Sequence, residues 1–394
     1  MRLVSTQKAG FQTTFRGPLG GRAAQHPWTQ NGQRTTCGRL LLLTELMRKF
    51  RPSGSFGHLF RASTRYDDRK GLLYVTATQP TSDGPSSLML IDYAAITHPG
   101  KVRKNNEDAY LLSALDGDEP IINGPARSLK VGDPGLLVAV ADGMGGAAAG
   151  EVASHEGLAA VALFLFGHWG RLSASKVVES ELVQALKTAV EEASDAVLRY
   201  SDDDRTARGM GSTLTAAIVW KGCAYVAQIG DSRAYLLRQG KLHQITEDQT
   251  LVNDLVAQGT LTREQARTHP QRNMITQALG SPQPLRVALS RLRLKRGDRL
   301  LCCSDGLHGE VVDARIQEVL SQGLSPRRSL ELLVEDALAH GGRDNITGVL
   351  LVLNDPSLPL PVGEEGLDLV HPGVPQRARG WWERLLHLIG GGAS

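Results

Sequence analysis

The 394-residue chain has only four cysteines, Cys37, Cys223, Cys302 and Cys303, and no CxxC spacing. That excludes a thiol-built metal cage and a disulfide framework. Cys302 and Cys303 are neighbours in an apolar run, where consecutive side chains of a strand face opposite ways, so they are not expected to pair. All four read as reduced thiols of a cytoplasmic protein. Aromatic residues make up 5% of the chain, yet 41% is hydrophobic, enough to bury a full core. No apolar run approaches the ~18 residues of a membrane-spanning helix. An excess of positive charge is also missing where a nucleic-acid surface would need it. The net charge of +3 divides into 13 Lys+Arg against 4 Asp+Glu in residues 1–88, and 31 against 37 in the remainder. The basic balance belongs to the leader, and no nucleic-acid partner is expected for the folded part.

What the sequence does have is a set of apolar runs that end in aspartate. Val138-Ala-Val-Ala-Asp-Gly-Met-Gly-Gly146 is a strand pattern that runs into Asp142 and a glycine-rich loop. Gly143 lets the backbone come close to a ligand, so that its carbonyl can act as a metal ligand. Ala224 to Asp231 and Arg299 to Asp305 repeat the pattern, and Asp344 precedes the run Ile346 to Leu353. In an antiparallel sheet a strand's start lies beside its neighbour's end, so all four aspartates can share one rim. Glu107 and Asp108 add two carboxylates if their strand reaches it. Two charges about 5 Å apart at an effective dielectric near 20 repel by roughly 3 kcal/mol, so such a cluster must take up protons or cations. Oxygen-only ligands favour Mg²⁺ or Mn²⁺ over zinc.

Residues 1–88, rich in Gly, Arg, Thr and Ser without a sustained period, are expected to be a disordered basic leader. Three readings of it compete: a solvated tail or upstream extension with Met89 as an alternative start, a cleaved transit peptide, and a basic docking arm. The folded domain is expected over 89–355. It should begin with strands at Leu90–Thr97 and Ala109–Ala114, with a loop from Asp116 to Asp133. Helices are expected from Glu151 to Phe166 and, on the stripe Val178, Leu182, Leu186, Ala189, Ala193, Val197 and Tyr200, over the next apolar stretch. A meander of short strands follows from Gly211 to Ile245. An insertion at about 247–284 has one small helix starting at the capping-box pattern Thr262-Arg-Glu-Gln265. Strands at Leu285–Leu294 and Arg299–Cys303, a helix at Ser329–Leu338 and a final strand from Ile346 complete an α+β layering, with sheets packed together and helices outside. Residues 356–394 read as a Pro-rich linker and a short amphipathic segment, Trp381 to Ile389. Contact with a membrane or partner and docking on the chain's own domain are both open for that segment.

Six pieces of this sequence, Val102-Arg-Lys-Asn-Asn-Glu-Asp-Ala109, Asp142-Gly-Met-Gly-Gly146 with Gly150-Glu-Val-Ala-Ser154, Gly209-Met-Gly-Ser-Thr213, Gly230-Asp-Ser-Arg233, Ser304-Asp-Gly-Leu307 and Gly342-Arg-Asp-Asn-Ile346, occur in an order that resembles the metal-dependent serine/threonine protein phosphatases of the protein phosphatase 2C (PPM) family, bacterial type. The resemblance covers about residues 90–354. It implies an antiparallel β-sandwich flanked by pairs of helices, a four-layer αββα arrangement with a metal cluster at one end. It further implies that Asp142 bridges two Mn²⁺ or Mg²⁺ ions, with the carbonyl of Gly143 on one and Asp305 and Asp344 on the other. Glu107 and Asp108 would hold metal-bound waters, Asp231 would serve a possible third ion, and Arg103 would bind the substrate phosphate. The implied reaction is hydrolysis of phosphoserine and phosphothreonine by direct attack of a hydroxide bridging the two ions. The implied partners are phosphorylated proteins and a eukaryotic-like kinase, met by a monomeric enzyme.

The chemistry asks for such a site. Phosphate monoester hydrolysis can need about 10²¹-fold acceleration, near 29 kcal/mol. A general acid or base supplies only ~10²–10⁴, about 3–5 kcal/mol. Met144 stands where eukaryotic relatives place a histidine, so the leaving-group acid is unassigned, with His308 as one candidate. In the insertion, Arg263, Arg267 and Arg272 fit either a phosphoprotein-steering patch or a solvated helix face. A catalytically silent binding module and a hydrolase of small phosphate esters are the competing functional classes.

Overall fold

A computed structural model describes residues 62–67, 72–77, 89–115, 128–131, 135–145, 149–169, 178–363 and 367–372. In chain order the strands are β1 (Ala62–Asp67), β2 (Leu72–Ala77), β3 (Met89–His98), β4 (Asp108–Ala114), β5 (Ser128–Val131), β6 (Leu136–Met144), β7 (Gly211–Ser212), β8 (Leu214–Trp220), β9 (Cys223–Ile229), β10 (Arg233–Arg238), β11 (Lys241–Gln244), β12 (Ala288–Arg293), β13 (Asp298–Cys303), β14 (Ile346–Leu353) and β15 (Leu369–Val370). The helices are α1 (Ala149–Trp169), α2 (Glu179–Asp203), α3 (Leu251–Ala257), α4 (Arg263–Thr268), α5 (Asp305–His308), α6 (Asp313–Ser321) and α7 (Pro326–Ala339).

Two antiparallel sheets carry the domain. One has the order β11-β10-β13-β14-β3-β5, and the other β15-β12-β9-β8-β6-β4 with β7 attached to β6. Three apolar clusters show how the layers stack. Ile91, Leu112, Val138, Val226, Leu300 and Leu351 fill the space between the sheets. Leu137, Ile218 and Tyr225 on the opposite face of the second sheet meet Val161 and Leu165 of α1 and Leu182 and Leu186 of α2. Tyr235, Leu301 and Leu350 on the outer face of the first sheet meet Ile316 of α6 and Leu330 and Leu333 of α7. Because strand residues alternate faces, each sheet reads as apolar on both sides, which a four-layer αββα sandwich requires. Cys302 faces the inter-sheet core and Cys303 the helical layer, as neighbours in a strand must, and both are free thiols.

Among the described residues one helical stretch, Ala149–His168, is long and apolar enough to cross a membrane by length and composition, and 61% of its most apolar window is buried within the protein. It is a core helix, apolar on nearly every side because α2 and the second sheet both cover it.

The structure departs from the sequence expectations in several places. Within the leader, β1 and β2 form an antiparallel hairpin. Its second arm, Leu-Leu-Tyr-Val-Thr-Ala, is a local β-forming run that needs no distant partner; the rest of 1–88 lies outside the described residues. β5 forms in the expected Asp116–Asp133 loop by adding to the edge of β3. The segment after 355 is drawn back onto the domain, because Leu358 reaches the inter-sheet core, Leu369 packs against it and β15 pairs with β12. Asp355 Oδ2 accepts a 2.6 Å hydrogen bond from Leu90 N–H, which ties the end of the domain to its start. The Trp381–Ile389 segment lies outside the described residues.

Candidate active site

Every strand that bears a predicted ligand delivers it to the same end of the sandwich. β4 begins at Asp108, directly opposite Asp142 near the end of β6 in the antiparallel register. β9 ends at Ile229, two residues before Asp231, and β10 then begins with Arg233 paired to Cys303, the last residue of β13. Asp305 follows as the first residue of α5, and Asp344 precedes β14, whose Ile346 is paired with His98 at the end of β3. The rim expected from strand direction alone is therefore present, with carboxylates from both sheets.

Backbone packing makes the rim tight. A Cβ on Gly143 would overlap the carbonyl oxygen of Gly150, and one on Gly150 would stand 2.9 Å from Glu107 Oε2. Only glycine at both positions lets the start of α1 close against β6. Gly143 N–H donates to Glu107 O at 3.2 Å, so the loop that carries Glu107 is fastened to the same point.

A layer of hydroxyl and amide groups lies beneath the carboxylates. Ser304 Oγ donates to Asp108 Oδ2 at 2.7 Å and accepts from Thr347 N–H at 3.0 Å. Thr213 Oγ1 accepts from Asp142 N–H at 3.0 Å and lies 2.7 Å from Ser232 Oγ. Asn345 reaches three separate segments through its side chain: Oδ1 accepts from Glu107 N–H at 2.8 Å, while Nδ2 donates to Pro99 O at 3.0 Å and Asn105 O at 2.9 Å. These supporting residues are not visible as site residues from strand endings. The signals for them are adjacency, since Ser304 precedes Asp305 and Asn345 follows Asp344, and their place within the six family-like pieces, which also hold Thr213 and Ser232.

The electrostatics are those of crowded anions. Burial first, and then repulsion from Asp108, Asp305, Asp231 and Asp344, holds the Asp142 carboxyl well above its ordinary range. Burial pushes Asp108 up to about 7 against the hydrogen bonds from Ser304 and Thr347, and burial and Asp305 push Asp231 up to about 7. Burial and Asp344 raise Asp305, although a hydrogen bond with Asp142 and the charge of Arg103 act the other way. Burial raises Glu107 as well. Such a site holds protons or cations.

Two observations fit a cation better than a proton. Asp108 Oδ1 and Asp305 Oδ1 are buried without a hydrogen-bond partner, a costly condition for a carboxylate unless something else satisfies it. The predicted donors are also all oxygen, the preference of Mg²⁺ and Mn²⁺. Among the described residues no three His, Cys, Asp or Glu side chains already stand in finished metal-holding geometry. Asp344 is engaged by Arg103 instead, Nη2 to Oδ2 at 2.7 Å. The structure thus brings Glu107, Asp108, Asp142, Gly143, Asp231, Asp305, Asp344 and Arg103 to one rim without closing them into a coordination sphere.

His308, the candidate for the leaving-group acid, sits beside Asp231. Its Nε2 lies 3.1 Å from Asp231 O, and burial together with Arg233 lowers it to about 3, so the ring is neutral near pH 7.

The insertion at 247–284 leaves beside this rim. Arg233 clamps its first residues, with Nε 2.8 Å from Asp248 Oδ1 and Nη2 2.6 Å from Asp248 Oδ2. Its far end returns through Leu279, which exchanges backbone hydrogen bonds with Ser212. The expected capping box is present, Gln265 N–H to Thr262 Oγ1 and Thr262 N–H to Gln265 Oε1. The insertion also contains α3, capped by Thr250, where only one small helix was expected. Arg272 is exposed, and the side chains of Arg263 and Arg267 lie outside the described residues.

Comparison with known proteins decides the family. The family model described as Protein phosphatase 2C matches residues 126–340. The chain belongs to the protein phosphatase 2C family. Relatives of this family that it resembles include the Listeria monocytogenes serotype 4b protein named serine/threonine phosphatase stp, 36% identical over 259 residues, which cover 66% of this chain and 94% of that one. The Mycobacterium tuberculosis protein named serine/threonine protein phosphatase PstP is 38% identical over 262 residues, 66% of this chain and 45% of its own length. The crystal structure of the M. tuberculosis phosphatase PstP/Ppp aligns with a TM-score of 0.56 at 38% identity, covering 68% of this chain and all of that one. A PstP catalytic domain solved in complex with two manganese ions aligns with a TM-score of 0.54 at 36% identity over 68% of this chain and all of its own. The sandwich described above is the fold of these phosphatases.

Proposed function

We propose that this protein hydrolyses phosphoserine and phosphothreonine in other proteins with two Mn²⁺ or Mg²⁺ ions at the carboxylate rim. The observation that carries the reading is the meeting of Asp108 and Asp142 across β4 and β6 with Asp231, Asp305 and Asp344 at the same end, two of the buried oxygens having no partner. Asp142, the carbonyl of Gly143, Asp305 and Asp344 would hold the two ions, and Asp231 a third. Bound there, such ions bring the pKa of water toward neutrality and offset charge on phosphoryl oxygens.

The chain's own groups would do the rest. Arg103 is half-exposed at the rim, and its planar fork suits two phosphate oxygens. Glu107 and Asp108 would orient water, with Asp108 fixed by Ser304. Attack would be by water directly, without a phosphoenzyme. The opposing kinase would be a eukaryotic-like serine/threonine kinase of the same cell. A cytoplasmic site of action is supported by the buried free thiols of Cys223, Cys302 and Cys303.

Turnover of a phosphothreonine peptide, a nucleotide and an aryl phosphate, each with Mn²⁺ or with EDTA, tests the reading. Metal-dependent hydrolysis that favours the phosphopeptide is expected. Preference for the nucleotide would move the activity to small esters, and no turnover of any substrate would leave a silent binding module.

A further inference from the structure

Between α2 and the outer edge of β12 lies a cavity of about 1200 Å³, more than the ~300–1,000 Å³ of small-molecule sites. Val183 of α2 and Val287 and Leu289 of the β12 segment give it an apolar lining. Glu179 and Arg291, 2.6 Å apart as an ion pair, Lys187 and the exposed Glu247 stand around it.

The course of the chain shows what can reach it. β15 runs antiparallel to β12, with Leu369 opposite Leu292 and Val370 opposite Arg291. That direction carries the following residues back along β12 toward Ala288 and into the cavity. His371 is already on this path, with Nδ1 3.1 Å from Ser290 Oγ and 3.2 Å from Leu289 O. Val370, His371 and Pro372 form one wall, and the described chain ends at Pro372 with residues 373–394 still to follow. Those residues include Trp381, Trp382, Leu385, Leu386, Leu388 and Ile389 in close succession, with Arg377, Arg379 and Arg384 among and before them. Nine residues from Pro372 to Trp381 span up to about 30 Å when extended, ample for a wall that the chain has already reached.

We propose that this groove is the docking site of the chain's own Trp381–Ile389 segment. The tryptophans fill the apolar floor, each able to bury ~150–250 Å², and the arginines lie toward the exposed Glu247. The docked segment then bears on both roots of the insertion, since Glu247 opens it and Val287 follows its return. The proposal is independent of the phosphatase chemistry, because neither the groove nor the segment contains a rim residue.

A photo-crosslinking amino acid at position 382 of the full-length chain tests it, with products mapped by mass spectrometry after irradiation at low micromolar concentration. The expected product is intramolecular, joining position 382 to residues 178–187 or 287–291, and it is lost in Val183→Arg. Products between two copies only, products elsewhere on the chain, or capture into anionic phosphatidylserine vesicles without an intramolecular product would each overturn the proposal. A second measurement does not depend on the groove variant folding. In the full chain, Trp381→Ala with Trp382→Ala should speed hydrogen exchange several-fold in the first turns of α2 and in β12 while leaving β4 and β6 unchanged. Unaltered exchange at the groove refutes docking.

Discussion

Ser304, just past the end of β13 in one sheet, donates a 2.7 Å hydrogen bond to Asp108, the first residue of β4 in the other sheet. A buried hydroxyl thus joins the two layers at the point where the carboxylates converge. Groups that support the residues around a metal site typically govern affinity or activity by ~10–100-fold. Ser304→Ala is expected to lower kcat/KM or apparent Mn²⁺ affinity by ~10–100-fold, with a stability loss of about 1–3 kcal/mol. Steady-state kinetics across a Mn²⁺ titration, alongside urea unfolding, make the comparison. An unchanged metal dependence would detach Ser304 from the site.

Asp305→Asn should abolish turnover yet leave the metal-free protein at least as stable as the parent. The variant removes a charge raised by burial and by Asp344, so relief of repulsion offsets the altered hydrogen bonding. Thermal melts in EDTA and peptide hydrolysis in Mn²⁺ give the two readouts. Full turnover would contradict the metal assignment.

The metal-free protein should lose stability as pH rises from about 4 to about 7. Asp108 and Asp231 move from 3.8 in the unfolded chain to about 7 in the folded one. The native state therefore binds more protons than the unfolded state in that window, and stability falls with pH through it. Saturating Mn²⁺ at neutral pH should restore what is lost, because binding to the native state alone adds stability. Urea midpoints that stay level or rise with pH in EDTA would contradict the buried-carboxylate account.

Asp298→Ala separates stability from chemistry. Arg238 and Asp298 form a two-point pair, Nε to Oδ1 at 2.9 Å and Nη2 to Oδ2 at 2.7 Å, with side chains only 4% and 1% exposed. Removing one partner of a buried pair strands the other charge and costs about 3–5 kcal/mol. The midpoint of denaturation should fall accordingly, while kcat per folded molecule at low temperature stays within about two-fold, the pair being structural rather than part of the proposed chemistry.

Much of this architecture was legible because its strands are buried on both faces and bounded by Gly and Asp. Their apolar runs, from Leu136 to Ala141 or from Ile346 to Leu353, are unambiguous, and the rim followed from strand direction. What escaped was held by partners far away in sequence. β15 is two residues long and exists only because the edge of β12 is free to receive it. α6 is a short helix between two turns that a single-sequence period does not separate from its surroundings. Asn345 looked like the neighbour of a ligand, and its binding of Pro99, Asn105 and Glu107 could not be read from position 345 alone. That Arg103 engages Asp344 and leaves the coordination sphere unclosed was likewise beyond the sequence.

The rim is gathered from residues 103 to 344, with contributions from both ends of the domain and from each sheet. During synthesis no ribosome-bound chain that lacks β14 can assemble it, however well its earlier helices have formed. Enzymatic competence therefore arrives all at once and late, and on the proposed metal assignment a truncation before Asp344 would leave an inert fragment rather than a weakened enzyme.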